Sequence, residues 1–188
     1  LEFRRVLFRS LESLGVELER GRIKTDEFMR TNISGIYAVG DVNGVSMLAH
    51  TAYREAEVCI NHIMGKKDRM RYNAIPAVIY TNPEVGSVGE TEETAKEKDL
   101  DVEIVKLPLS YSGRYVAETE RGDGIIKVLV DKKYKTIQGL HIIGSYASEI
   151  IYGAAMMMET EMRVEDIQKM VFPHPTVSEV IKEAMFEF

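Results

Sequence analysis

The chain has 188 residues, with 24 lysines and arginines against 30 aspartates and glutamates, which gives a formal net charge of −6 at pH 7. The hydrophobic fraction of 45% is enough for a buried core, and the length suits one domain or slightly more. The acidic balance disfavours non-specific binding to nucleic acid or to anionic lipid. The longest apolar run is too short to cross a bilayer, and no secretory signal is visible. We therefore expect a protein that binds neither nucleic acid nor membrane.

Cys59 is the single cysteine of the chain. A lone thiol cannot form an intrachain disulfide, so the expected location is the reducing cytoplasm. The sequence offers no neighbouring cation to activate this thiol, and we expect it to pack inertly on a helix face. The four histidines lack the spacing of a zinc site, so no metal is expected.

The first ten residues, LEFRRVLFRS, are basic and differ from the acidic chain that follows. They suit either a short amphipathic helical turn or a non-native scar, and we treat them as a scar outside the fold. Residues 11–71 form the next predicted domain. Its clear β signal is the run Ile36–Val39, which predicts a buried strand. Ser46 is the expected cap of a helix from Met47 to Met64, which Gly65 then ends.

Residues 72–188 are predicted to form a second domain. Its predicted strands are Ala74–Tyr80, Val85–Val88, Val102–Leu109, Gly124–Val130 and Thr136–Ile143, and its predicted helices are Thr91–Lys98, Ser145–Met162, Val164–Met170 and Thr176–Phe186. Strands that come before helices indicate an α+β fold with an antiparallel sheet covered by helices. The helix with Met156, Met157, Met158 and Met162 is apolar around much of its circumference, which favours buried packing or a subunit contact over a cofactor role.

Asp41 is the first candidate for a functional residue, because it lies just beyond the predicted strand Ile36–Val39. A carboxylate at the carboxyl end of a strand occupies the place where α/β sheets bind ligands. The start of the helix that follows offers unpaired N–H groups to an anion or an electron-rich ring. The alternative is that Asp41 only sets a turn, and its spacing taken alone favours that alternative.

His174 is the second candidate, because Pro173 and Pro175 restrict the backbone on both sides of its imidazole. Glu179 follows in the first turn of a predicted helix, where it can hold one ring nitrogen and leave the other as a base. The spacing from Thr176 to Glu179 also matches a capping box, in which Glu179 serves only the helix start. The residues favour these two interpretations about equally.

Four motifs closely resemble the flavin disulfide reductase family, and within it the dihydrolipoyl dehydrogenases. They are Thr31-x-x-x-x-Ile36-Tyr37-Ala38-x-Gly40-Asp41, then Met47-Leu48-Ala49-His50, then Thr81-x-Pro83-Glu84 with Val88-Gly89, and His174-Pro175-Thr176-x-Ser178-Glu179. The resemblance runs from about residue 11 to residue 188 and covers the C-terminal portion of such an enzyme. Glutathione reductase shares the first and last motifs, whereas the second points to the lipoamide branch.

The resemblance implies a function for both candidate sites. Asp41 would bind the ribityl chain of FAD, and Met47, Leu48, Ala49 and His50 would lie beside the flavin. Residues 11–71 would be the C-terminal remnant of the FAD-binding α/β domain, and residues 72–188 the dimerisation domain. His174, oriented by Glu179 and followed by a cis peptide bond, would be the base that serves the redox disulfide of the other subunit.

The implied enzyme is a homodimer that oxidises dihydrolipoamide with NAD⁺ by way of FAD. Its implied partner is the lipoyl domain of a 2-oxo acid dehydrogenase or glycine-cleavage complex. The present chain contains no G-x-G-x-x-G motif and no cysteine pair. The chain alone is therefore expected neither to hold FAD tightly nor to catalyse the lipoamide reaction. Another disulfide reductase, such as glutathione reductase, and a non-catalytic dimerisation module remain as alternatives.

Overall fold

The computed structural model describes residues 11, 13–119 and 123–188. The chain divides into two compact units, with the boundary between Tyr72 and Asn73. The decapeptide interpreted as a scar lies outside the described residues. In the described part of the chain, no helix is both long and apolar enough to span a bilayer.

The first unit contains a small hairpin and one long helix. Its elements are β1 (Leu18–Glu19), β2 (Arg22–Ile23), a 3₁₀ turn at Gly40–Val42 and α1 (Ala49–Ile63). A small apolar cluster of Val16, Ile23 and Ala38 is buried in this unit. Helix α1 contacts the 3₁₀ turn, which brings that turn onto the helix surface.

The predicted strand Ile36–Val39 is wrong. Within the described residues this segment forms a single antiparallel bridge, between Arg30 and Tyr37. A strand needs a ladder of hydrogen bonds with a neighbour. Here the backbone stays extended, with Val39 at φ −129° and ψ 151°, and no ladder forms along it in the part of the chain that is described.

Helix α1 begins later than its sequence indicates. The predicted cap at Ser46 is wrong, because the N-cap residue is Leu48 and the Ser46 hydroxyl instead bonds Thr51 Oγ1 at 2.9 Å. The predicted stop is confirmed: Gly65 has φ +72°, and its N–H donates to His62 O. Cys59 is buried on this helix, and its burial raises the pKa of the thiol, as expected of inert packing.

The second unit contains a five-stranded antiparallel sheet, which confirms the predicted α+β class. The strands are β3 (Ala77–Ile79), β4 (Val85–Gly89), β5 (Val102–Pro108), β6 (Ile125–Asp131) and β7 (Ile137–Ile143), in the order β3-β4-β7-β6-β5. Leu140 in the central strand lies opposite Val88 on one side and Val128 on the other, and all three are buried. This apolar row is part of the main core.

Five helices accompany this sheet in the described part of the second unit, and the last four of them contribute buried residues to the main core. They are α2 (Glu92–Glu97), α3 (Gly113–Glu118), α4 (Ala147–Glu159), α5 (Val164–Gln168) and α6 (Glu179–Met185). Helix α4 packs on β4 and β7, and α6 packs on β5 and β6. A Cβ atom at Gly86 would lie 2.7 Å from Ala147 O, so glycine allows α4 to approach the sheet this closely. Met157 and Met158 are buried in the core, whereas Met156 is exposed.

The starts of these helices depend on different caps. Thr91 is the predicted helix start, and it caps α2 in a reciprocal box with Thr94 that was not predicted from the sequence. Helix α4 begins after Tyr146, which has φ +69° and provides no side-chain cap. Glu84 supplies it instead, because Glu84 Oε2 accepts the Ser148 N–H at 2.9 Å. The motif Thr81-x-Pro83-Glu84 therefore has a structural role in starting α4.

Candidate active site

His174 and Glu179 are in direct contact. His174 Nδ1 lies 2.8 Å from Glu179 Oε1 in the loop that leads into α6. The contact confirms that Glu179 holds one ring nitrogen. An ionised carboxylate only accepts hydrogen bonds, so Nδ1 carries the proton and donates it. The neutral imidazole then keeps its lone pair on Nε2. The side chain of His174 is 77% exposed, so this nitrogen belongs to an accessible ring.

The second oxygen of Glu179 serves the start of α6. Oε2 accepts the backbone N–H of Thr176 at 2.8 Å. The pKa of Glu179 lies below its ordinary value, mainly because of the hydrogen bond from Thr176 and then because of the bond from His174. Half of the predicted capping box is thus present. The other half is wrong, because the Thr176 hydroxyl donates to Pro173 O and α6 begins after Ser178 without a side-chain cap.

The loop around His174 is fixed at several points. The His174-Pro175 peptide is cis, as the resemblance implied. Ser112, at the start of α3, donates its hydroxyl to Thr176 O at 2.9 Å. Val177 is buried in the main core. An exposed imidazole on a loop held in this way has a defined position without being enclosed.

A mostly apolar groove of about 480 Å³ runs beside this loop. Phe172 and Val177 from the loop line it together with Tyr152 and Met157 from α4. At one end Tyr146 and Arg114 both contact Glu118, through the tyrosine hydroxyl and the guanidinium. No sequence motif marks these polar residues, because they come together only when α3 folds against the start of α4.

Asp41 lies in the 3₁₀ turn of the first unit and is exposed. It therefore does not follow the end of a strand, which corrects the placement expected from the sequence. Two of the hydrogen bonds that shape the turn come from Asn43, whose N–H donates to Gly40 O and whose Oδ1 accepts the Val45 N–H. Asn43 thus has the turn-forming role that the sequence left open for Asp41.

The four residues of the second motif lie at the start of α1. Met47, Ala49 and His50 are exposed, and Leu48 is half-buried. The side chain of Leu48, the N-cap residue, provides no hydrogen bond to the first turn. Since α1 contacts the 3₁₀ turn, these residues and Asp41 belong to one region of the first unit.

Comparison with known proteins identifies both parts of the chain. Residues 75–185 match the family model described as "Pyridine nucleotide-disulphide oxidoreductase, dimerisation domain". Residues 4–56 match the model described as "Pyridine nucleotide-disulphide oxidoreductase". The chain belongs to the pyridine nucleotide-disulphide oxidoreductase family. The His174–Glu179 pair and the apolar groove both lie within the segment that matches its dimerisation domain.

Similar relatives of this chain include dihydrolipoyl dehydrogenases and a leghemoglobin reductase. The mitochondrial dihydrolipoyl dehydrogenase of Pisum sativum is 40% identical over 93% of this chain and 35% of its own length. The dihydrolipoyl dehydrogenase of Rhizobium etli is 40% identical over 94% of this chain and 37% of its own. Leghemoglobin reductase of Glycine max is 39% identical over 93% of this chain. The chain spans about a third of the length of the curated relatives it matches.

Two solved structures share the fold of this chain. LpdA from Mycobacterium tuberculosis matches with a TM-score of 0.86 and 26% identity, over 94% of this chain and 39% of that one. The HOCl-induced flavoprotein disulfide reductase RclA from Escherichia coli matches with a TM-score of 0.81 and 26% identity, over 94% of this chain and 41% of that one. These matches agree with the mixed helix and antiparallel sheet seen here.

Proposed function

We propose that the chain is the C-terminal part of a dihydrolipoyl dehydrogenase, which oxidises protein-bound dihydrolipoamide to lipoamide with NAD⁺ by way of FAD and a redox disulfide. The observation that carries this proposal is the accessible imidazole of His174, with Nδ1 fixed on the Glu179 carboxylate. The relatives named dihydrolipoyl dehydrogenase support the choice of substrate. The redox cysteines and both dinucleotide motifs belong to the part of such an enzyme that this chain does not contain.

His174 is the proposed base. A thiol with a pKa of about 8.5 is mostly protonated at neutral pH, and only its thiolate attacks a disulfide efficiently. The Nε2 lone pair of His174 can take the thiol proton, which turns the ring into an imidazolium. Glu179, already bonded to Nδ1, then faces a positive charge and stabilises it. The arrangement supports deprotonation of a dithiol substrate.

The residues near Asp41 fit a bound FAD. The exposed Asp41 carboxylate can accept hydrogen bonds from ribityl hydroxyls, and the start of α1 at Leu48 has no side-chain cap on its N–H groups. Met47, Ala49 and His50 would line the flavin beside them. FAD, together with NAD⁺, supplies the two-electron transfer when bound.

A homodimer is the proposed assembly, with residues 72–188 as the dimerisation domain and residues 11–71 as the remnant of the FAD-binding domain. The match to the family's dimerisation domain supports this assignment. The proposed partner is a lipoyl domain of a 2-oxo acid dehydrogenase or glycine-cleavage complex. We also propose the reducing cytoplasm as its location, since Cys59 has no second cysteine in this chain to pair with.

The experiment that tests the function measures NAD⁺ reduction by the complete flavoprotein, meaning this chain together with its cysteine-bearing and dinucleotide-binding segments. Dihydrolipoamide should support turnover. In the reverse direction, the protein should not reduce oxidised glutathione with a reduced nicotinamide cofactor. Preference for glutathione would instead support the glutathione reductase alternative. A complete protein that dimerises but oxidises no dithiol would leave the dimerisation module as the better explanation.

A further inference from the structure

Glu55 is a fully buried carboxylate to which the proposed reaction assigns no role. It lies on α1 with 0% of its surface exposed. Its Oε2 accepts the Gly40 N–H at 2.5 Å and the Asn43 side-chain amide at 3.0 Å, and its Oε1 accepts the Tyr72 hydroxyl at 2.7 Å. Burial of a carboxylate is costly unless its oxygens are bonded, so these three donors make the position tenable. Burial, reinforced by the bond to Glu55, also raises the pKa of Tyr72.

The turn that carries Asp41 lies directly on α1. Gly40 has φ +74°, and a Cβ atom there would lie 3.2 Å from the Cβ atom of Ala52. Ala52 and Glu55 are three positions apart and therefore share a face of the helix. This close approach lets Glu55 reach the Gly40 N–H. It also explains why a glycine precedes Asp41.

Glu55 binds the turn at both of its ends. Gly40 comes immediately before Asp41, and Asn43 follows two residues after it. The Asn43 N–H also donates to Gly40 O, which closes the turn. One oxygen atom of Glu55 thus accepts the backbone N–H of the residue before the exposed Asp41 and the side-chain amide of Asn43 after it.

We infer that Glu55 is the positioning residue for Asp41, and that it prepares the carboxylate of Asp41 to bind the polyhydroxyl chain of the flavin. The inference rests on the proposed FAD-binding function. A side chain whose backbone is already ordered loses less conformational freedom when a ligand binds. Glu55 itself is buried beneath the turn and acts through Gly40 and Asn43.

The test compares FAD affinity of the complete apoprotein in three variants. Glu55→Leu leaves both ends of the turn without an acceptor and should weaken FAD binding about tenfold or more. Glu55→Gln should stay within about threefold, because its amide oxygen can accept from Gly40 and Asn43 while its NH₂ donates to the Tyr72 oxygen. Glu57→Leu is the matched control, since Glu57 lies on the same helix with its side chain 65% exposed, and it should not change the affinity.

A double-mutant cycle separates positioning from general stability. In an Asp41→Ala background, Glu55→Leu should weaken FAD binding by less than about twofold, because the group that it positions is gone. An equal loss in both backgrounds would overturn the inference. If Glu55→Leu does not fold, Asn43→Ala frees one end of the turn and should weaken FAD binding about threefold in the Asp41 background alone.

The 188-residue chain provides a second readout that needs no flavin. The Gly40 amide proton should resonate far downfield, lose that shift in Glu55→Leu and keep most of it in Glu55→Gln. A Gly40 chemical shift that is the same in both variants and in the unaltered chain would contradict the hydrogen bond from Gly40 to Glu55, and the inference with it. Absence of FAD binding by the unaltered complete protein would contradict the proposed function, whatever the Gly40 signal shows.

Discussion

The contact between His174 Nδ1 and Glu179 Oε1 couples the orientation of the proposed base to the start of α6. The two atoms are 2.8 Å apart, and the second oxygen of the same carboxylate accepts the Thr176 N–H, also at 2.8 Å. A change at Glu179 therefore alters two things at once: the direction of the imidazole and the hydrogen bonding of the helix entry. A change at His174 alters only the first.

Replacement of His174 by Gln in the complete flavoprotein should slow dihydrolipoamide oxidation by about 10²–10⁴-fold, the usual contribution of a general base. Flavin content should hardly change, because the residues proposed to hold FAD lie in the other unit. Steady-state assays and the absorbance of bound flavin measure the two effects separately. Near-normal turnover would remove His174 from the mechanism.

The tautomer of His174 can be measured on the chain itself by ¹⁵N NMR of its histidines. The neutral ring should carry its proton on Nδ1, because Glu179 accepts there. In Glu179→Ala this preference should disappear, since a solvated imidazole favours the other tautomer. Glu165→Ala, an exposed glutamate on α5, is the control and should leave the His174 signals unchanged. A predominant Nε2–H form in the unaltered chain would contradict the assignment of Nε2 as the basic atom.

Local sequence signals predicted much of the second unit. The hairpin of β6 and β7 follows from two apolar runs around Asp131, whose side chain accepts the N–H groups of Lys133 and Tyr134 in the turn. The predicted helix start at Thr91 likewise depends only on residues within one helical turn. The candidate pair of His174 and Glu179 was visible for the same reason, since five positions separate them.

Features that depend on distant residues were not predictable in this way. Glu84 caps α4 from 64 positions away in the sequence. Glu55 has the charged residues Arg54 and Glu57 close to it in the sequence, and its three partners are 12 to 17 positions away. The run Ile36–Val39 has the composition of a buried strand, but a strand also requires a neighbour, which composition does not report.

Replacement of Glu84 by Ala should destabilise the second unit by about 1 kcal/mol, because it removes the acceptor for the Ser148 N–H at the start of α4. Glu84→Gln retains an oxygen acceptor and should recover most of this loss. Hydrogen exchange of the α4 amides in each variant measures the effect. Exchange rates in Glu84→Ala that match those of the unaltered chain would show that Glu84 is not the effective cap.

Stability of the first unit should depend on pH through Asp68. The Arg54 guanidinium, followed by the Asn61 side chain, lowers the pKa of Asp68 from 3.8 to about 2. Because the pKa is lower in the folded state, the stabilisation is present above pH 3.8 and is lost as the pH falls towards 2. Its size should be up to about 1 kcal/mol for a pair near the surface.

The comparison of Asp68→Asn with the unaltered chain measures this dependence. Hydrogen exchange of the α1 amides should be faster in the variant at pH 6, and the difference should shrink as the pH approaches 3. A difference that stays constant over this range would mean that the charge of Asp68 does not stabilise the unit.

Leu140 is the residue at which a cavity should harm the second unit most clearly. It has 0% exposure and lies in the central strand between Val88 and Val128. The neighbouring side chains therefore cannot move freely to fill the cavity that a smaller residue would leave. Leu140→Ala should cost about 3 kcal/mol. Ile143→Ala in the same strand is the control, because Ile143 is 43% exposed, and its cost should stay below about 1 kcal/mol.

Hydrogen exchange of the β6 and β7 amides measures this loss of stability in the second unit separately from the stability of the first unit. A loss of about 3 kcal/mol corresponds to roughly 100-fold faster exchange of amides that open by global unfolding of the second unit. The amides of α1 should be unaffected if the two units unfold separately. Equal acceleration in the Leu140 and Ile143 variants would place the centre of the core elsewhere, since only a buried side chain leaves a cavity when it is removed.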